Sequence, residues 1–179
     1  KDQLVARAER DSLTGLLNSE TTRLRIGQQL DALAGGERGA LLVVDVDCFK
    51  DVNDTHGHLV GDLVLADIAR ILRENFRIGD VVGRLGGDEF MVYLDRVGST
   101  DVVLGKCDRL RRAVERHEYP GTDCRVTISV GVVLAHAGDT FDDLYGRADE
   151  ALYAAKRDGR NRCGLADGAL RSPKAAPAP

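Results

Sequence analysis

Residues 86 and 87 are both glycine, and they stand between two runs of β-type residues, 80–85 and 90–94. Two such runs joined by Gly-Gly predict a tight hairpin, because glycine takes the positive φ angles that a two-residue turn demands. A chain with this hairpin at its centre cannot fold around a wholly parallel sheet. Two carboxylates, Asp88 and Glu89, follow the turn at once. A glycine turn lets a bulky phosphate approach the backbone, and adjacent carboxylates can hold a divalent cation.

The rest of the chain supplies helices and strands in alternation. Residues 40–46 form a short, nearly unbroken apolar run, which predicts a strand buried on both faces. Helices are predicted over about residues 20–33, 58–76, 100–117 and 140–157. Their apolar stripes include Leu65, Ile68, Leu72 and Phe76 in the second, Val103, Leu110 and Val114 in the third, and Leu144, Ala148, Ala151 and Ala155 in the fourth. Residues 124–135 are the longest strand-like run. A mixed central sheet flanked by helices, an α/β sandwich, follows.

The chain has 179 residues and 43% apolar content, enough for one domain with a sizeable core. Its formal net charge of −4 argues against a nucleic-acid binder. No apolar run approaches the roughly 20 residues that span a bilayer, and no signal peptide is visible. Cys48, Cys107, Cys124 and Cys163 are irregularly spaced. That disfavours a zinc site or a disulfide framework and points to reduced thiols in the cytoplasm. Opening at Lys1, the chain reads as part of something longer. Residues 1–9 read as the end of an upstream helix, and the Ala- and Pro-rich residues 166–179 as a disordered tail.

Four constellations could carry chemistry. Asp45 and Asp47 share one strand face at the carboxyl end of the buried strand, where α/β sheets bind ligands. Alone they serve equally to mark a strand's exit into solvent. With Asp88 and Glu89 on a neighbouring hairpin, a metal site gains ground, since meeting carboxylates are costly without a cation. Asn53 and Asp62 could read the polar edge of a base, yet residues 53–62 also suit a loop and a helix start. Lys156 and Arg160 would share a face and clamp a phosphate if the last helix continued, although basic residues are common at helix C-termini. Arg77 and Asp80, on the turn before the hairpin, could bind a guanine edge and a phosphate or form an ordinary surface ion pair.

Taken in order, residues 11–18, 45–50, Asn53-Asp54, Gly57-His58, Gly61-Asp62, 84–90, 127–131 and 148–161 resemble the motifs of the GGDEF family of diguanylate cyclases. The resemblance covers roughly residues 10–163 and implies a catalytic domain over 10–165. It implies a fold similar to the adenylyl cyclase catalytic core and the polymerase palm. The implied activity is condensation of two GTP into cyclic di-GMP with release of two pyrophosphates. Asp45, the carbonyl of Val46 and Asp88 would hold Mg2+, with Mn2+ as an alternative. Asn53 and Asp62 would read guanine, and Phe49 and His58 would line the nucleotide site. Lys50, Lys156 and Arg160 would hold phosphates, with the Gly86-Gly87 backbone beside them. Asp88 and Glu89 are the candidates for the general base, and Lys156 would act in catalysis.

Arg77 and Asp80 match the family's RxxD inhibitory site, with Arg109 as a further arginine. The implied partners are GTP, cyclic di-GMP, a second copy of the chain during catalysis and an upstream sensory domain; nucleic acid and membrane contact are not implied. Ser19, Cys48 and His56 depart from residues common in the family, and none is an expected metal ligand. The alternative function is a silent domain that senses GTP or cyclic di-GMP without making it.

Overall fold

β1 (Arg38–Val46) is the axis of the molecule. In the computed structural model, which describes residues 8–123 and 125–166, it lies at the centre of a five-stranded sheet. β2 (Val81–Gly86) and β3 (Glu89–Leu94) form the expected hairpin, β4 (Ile128–His136) lies on the other side of β1, and β5 (Cys163–Leu165) forms an edge. The order is β2-β3-β1-β4-β5, antiparallel throughout except for the parallel pair β4–β5, so the sheet is mixed as expected.

The unbroken apolar run of β1 follows from burial on both faces. Leu42, Val44 and Val46 join a core beneath two helices, α3 (His58–Asn75) and α4 (Thr100–Arg116). Leu41 and Val43 face the opposite core, beneath α1 (Ser19–Asp31) and α5 (Phe141–Arg157). The predicted stripes of α3, α4 and α5 are all buried. α1 begins at Asn18, whose side chain accepts from the Thr21 amide, so it starts and ends slightly before the predicted span.

Several expectations are corrected. Residues 53–56 are not loop: they complete a short helix, α2 (Phe49–His56), which runs straight into α3 at Gly57. β4 begins at Ile128, later than predicted, and β5 has no counterpart in the reading of the sequence. α5 ends at Arg157, and Gly159, Arg160 and Asn161 all have positive φ. Lys156 and Arg160 therefore share no helical face. Cys107 of α4 and Cys163 of β5 form a disulfide, against the expectation of reduced thiols. Bridging residues 56 apart stabilises chiefly by constraining the unfolded chain, by about 2–4 kcal/mol. Cys48 is a free, exposed thiol. The expected upstream helix and tail fall mostly on residues 1–7 and 167–179, outside the described residues.

Candidate active site

The hairpin turn brings the acidic residues to the end of β1. Gly86 and Gly87 have φ of 139° and 52°, and the β2–β3 register shifts between Arg84 and Gly86. Arg84 fastens this turn: its Nε and Nη2 donate to the Gly87 carbonyl at 3.0 and 2.7 Å, and its Nη1 pairs with Asp11 at 3.1 Å. The Val46 amide donates to the Asp88 carbonyl at 3.2 Å, which docks the turn against the last residue of β1. Asp45 then lies opposite Glu89 in the strand register.

The carboxyls of Asp45 and Asp88 meet. Burial, and then the hydrogen bond and negative charge of Asp45, raise the Asp88 carboxyl from its ordinary value to about 6. The Lys156 ammonium, reaching across from α5, bonds Asp45. Glu89 is raised chiefly by burial, and its carboxylate accepts from the Tyr145 phenol at 2.8 Å. Burial and that bond to Glu89 push the Tyr145 phenol up to about 12. Tyr145 stacks on Phe141, and Arg23 of α1 lies over both rings. Tyr145 has no counterpart among the expected site residues; α5 carries two phenols, Tyr145 and Tyr153, and nothing in the sequence marks which one faces Glu89.

Asn53 and Asp62 belong to adjoining helices. Gly61 has no side chain where Asn53 rests: a Cβ there would lie 1.9 Å from Asn53 Oδ1. That oxygen is buried and has no hydrogen-bond partner among the described residues, so it is available to a donor on a ligand. Phe49 packs against the core at the start of α2, and His58 and Asp62 are exposed on the first turns of α3. Lys50 is exposed and pairs with Asp54 at 2.6 Å. Arg160 is exposed in the loop after α5.

Arg77 and Asp80 form a separate pair. The Asp80 carboxylate accepts from the Arg77 amide at 3.1 Å and from Arg77 Nε at 3.3 Å, and it is 1% exposed. Arg109 of α4 bonds Asn75, two residues before Arg77, through its Nε at 3.3 Å. The three predicted inhibitory residues thus gather at one end of α3.

Among the described residues no group of three or more His, Cys, Asp or Glu side chains could by itself hold a metal. Two carboxylates and a backbone carbonyl nevertheless suit Mg2+, which uses few protein oxygens and completes its shell with water and phosphate. The raised Asp88 carboxyl and the ammonium drawn onto Asp45 show a negative site that a dication would neutralise.

A mixed sheet with acidic groups at the end of its central strand, and helices on both faces, defines a domain of the cyclase and palm type. A family model described as "Diguanylate cyclase, GGDEF domain" matches residues 8–162, and the chain belongs to that family. It is 39% identical over 163 residues to the diguanylate cyclase DgcM of Escherichia coli, covering 90% of this chain and 39% of that protein. It is likewise 39% identical over 139 residues to diguanylate cyclase A of Treponema denticola, covering 76% of this chain and 37% of that one. This chain therefore spans about two-fifths of these curated relatives. A crystal structure of the coiled coil and GGDEF domain of DgcB from Caulobacter crescentus, in complex with c-di-GMP, superposes with a TM-score of 0.84 at 31% identity, covering 92% of this chain and 89% of that one. The diguanylate cyclase SiaD of Pseudomonas aeruginosa, solved with its activator SiaC, gives 0.82 at 37% identity, covering 92% and 65%.

Proposed function

We propose that this domain condenses two GTP molecules into cyclic di-GMP and releases two pyrophosphates. The observation that carries this reading is the meeting of Asp45 and Asp88 under a glycine turn, with Lys156 on Asp45. Asp45, Asp88 and the Val46 carbonyl would hold Mg2+ or Mn2+. When bound, that ion would neutralise triphosphate charge and acidify the attacking 3′-hydroxyl.

The chain's own residues do the rest. Asn53, through its unpartnered oxygen, and Asp62 accept hydrogen bonds from the guanine edge, while Phe49 and His58 line the nucleotide. Lys50, Lys156 and Arg160 neutralise the phosphates, and Lys156 with Arg160 stabilises charge on the departing pyrophosphate. The Gly86-Gly87 backbone leaves room for the phosphates beside it. Glu89 takes the hydroxyl proton: a metal-bound Asp88 is a weak base, whereas burial raises Glu89 and Tyr145 orients it.

One domain carries one half of the reaction, so two copies must face each other with antiparallel sites. An upstream sensory domain would control that pairing in the cytoplasm, where GTP is drawn. Arg77, Asp80 and Arg109 would bind the product and restrain the enzyme.

Incubation with GTP and Mg2+ at high protein concentration, with the natural upstream region attached, is the test. Cyclic di-GMP is the expected product. Nucleotide binding without turnover would overturn the reading in favour of a silent sensor.

A further inference from the structure

Asp47 lies two residues beyond Asp45, and its carboxylate is hydrogen-bonded to other parts of the chain than the Asp45–Asp88 pair. It is 8% exposed, and its carboxylate accepts three hydrogen bonds from distant parts of the chain. Thr127 Oγ1 and Ser129 Oγ donate at 2.7 Å each, and the Asn161 backbone amide donates at 2.9 Å. The Asp47 amide in turn donates to the Thr127 carbonyl at 2.9 Å. One buried carboxylate thus ties the end of β1 to the start of β4 and to the loop that follows α5.

That loop is the one that needs tying. Arg160 and Asn161 have φ of 62° and 46°, two successive left-handed residues that are not glycine. Such residues persist only where the surroundings over-determine them. Asn161 is held from the other side as well: its carboxamide nitrogen donates to Glu115 at 3.1 Å, and its oxygen accepts from Arg111 Nη1 at 3.0 Å. Arg160 itself is exposed and carries the only one of the proposed phosphate cations that lies on this loop.

We infer that Asp47 is a positioning residue of the active site: through the Asn161 amide it sets where Arg160 stands relative to Asp45. This rests on the reading of Arg160 as a phosphate-binding group. The Asp47 carboxylate is taken up by donors of the protein itself, and it acts by fixing the backbone on both sides of the phosphate path. Replacing it by Asn keeps the volume but removes the negative charge, so the bonds from Thr127, Ser129 and the Asn161 amide lose their charge-assisted strength.

The experiment is a double-mutant cycle on binding of 3′-deoxy-GTP with Mg2+, a nucleotide that lacks the attacking hydroxyl and so reports affinity without turnover. Asp47→Asn, Arg160→Ala and the double variant are compared, with Lys156→Ala as a second background and thermal unfolding measured on each. Asp47→Asn is expected to weaken binding about tenfold, the scale of lost supporting hydrogen bonds around a ligand site. In the Arg160→Ala background that loss should vanish, whereas in the Lys156→Ala background it should persist. Additive losses in both backgrounds, or no loss from Asp47→Asn, overturn the inference. An Arg160→Ala variant that binds like the parent overturns the phosphate reading itself, a distinct pattern. If Asp47→Asn does not fold, Ser129→Ala carries the same cycle with an expected loss of about threefold, since only one of the three bonds is removed.

Discussion

Lys156 of α5 and Asp45 of β1 form an ion pair across the face of the sheet, although 111 residues separate them. The lysine is 35% exposed and the aspartate 15%. A pair this wet contributes at most about 1 kcal/mol to stability. Its significance lies in where it places a positive charge, at the lip of a site that also holds the raised carboxyl of Asp88.

Lys156→Met should therefore separate function from stability. Thermal unfolding should stay close to that of the parent. Cyclic di-GMP formation should fall by about a hundredfold or more, as expected for removal of a group that stabilises charge in the transition state. Product quantification beside a melting curve checks both. Parent-like product formation would remove Lys156 from the proposed chemistry.

The pair Asp45–Asp88 gives a pH dependence whose sign is fixed. The folded Asp88 carboxyl titrates at about 6, above its ordinary 3.8. A raised carboxyl opposes folding only when charged, so its penalty is absent below about pH 4, grows through pH 6 and is full above it. A cation that needs the ionised form must displace that proton. Mg2+ affinity should be level above pH 7 and fall below pH 6, by at most about tenfold per pH unit for one proton. Calorimetric titration at pH 5, 6 and 7 measures this. Asp88→Asn should abolish the metal response and, above pH 7, raise the melting temperature of the metal-free protein. A lower melting point there would contradict the assigned repulsion.

The position of α5 depends on side chains absent beneath it, at Gly131 and at Gly164. Gly131 of β4 lies under the helix, and a Cβ there would meet the Ala148 carbonyl at 1.9 Å and the Leu152 amide at 2.6 Å. Both are backbone atoms, so no rotamer change relieves the clash. Gly131→Ala should cost about 3 kcal/mol, the upper end of ordinary overpacking. By lifting α5 it should also reduce turnover in the protein that remains folded. Urea unfolding gives the first quantity and activity per folded molecule the second. A change under 1 kcal/mol would mean that helix and sheet do not pack as closely as the geometry states.

Burial explains which of these features could be read from sequence. β1 was legible because both of its faces are covered, which removes polar residues from the run. The stripes of α3 and α5 were legible because each helix buries one face. α2 was not, because it buries only Val52 and is otherwise made of residues that also cap helices and form turns. β5 is three residues long, too short for any period. The disulfide was illegible because a separation of 56 residues says nothing about proximity. The Asp45–Lys156 pair and the Asp47–Asn161 bond likewise join points 111 and 114 residues apart, which only the fold brings together. The end of α5 at Arg157, by contrast, agrees with the predicted span of about residues 140–157.

Arg77 and Asp80 divide one motif into two duties, and substitution should separate them. Asp80 is sealed in the turn and receives the Arg77 amide, so its removal leaves a buried donor without a partner. Asp80→Ala should destabilise the domain by about 1–3 kcal/mol. Arg77 is 61% exposed, and its guanidinium touches the rim of the turn through Asp80 and the Asp95 carbonyl. Arg77→Ala should leave stability nearly unchanged. It should also raise the concentration of cyclic di-GMP needed for half-inhibition about tenfold or more, the loss expected for a charge-assisted contact to phosphate. Arg109→Ala, which frees Asn75 at the foot of the same turn, should weaken inhibition less. Initial rates of pyrophosphate release against added cyclic di-GMP, with unfolding curves for each variant, resolve the two effects. If Arg77→Ala remained fully inhibitable, the product would have to act elsewhere on the domain.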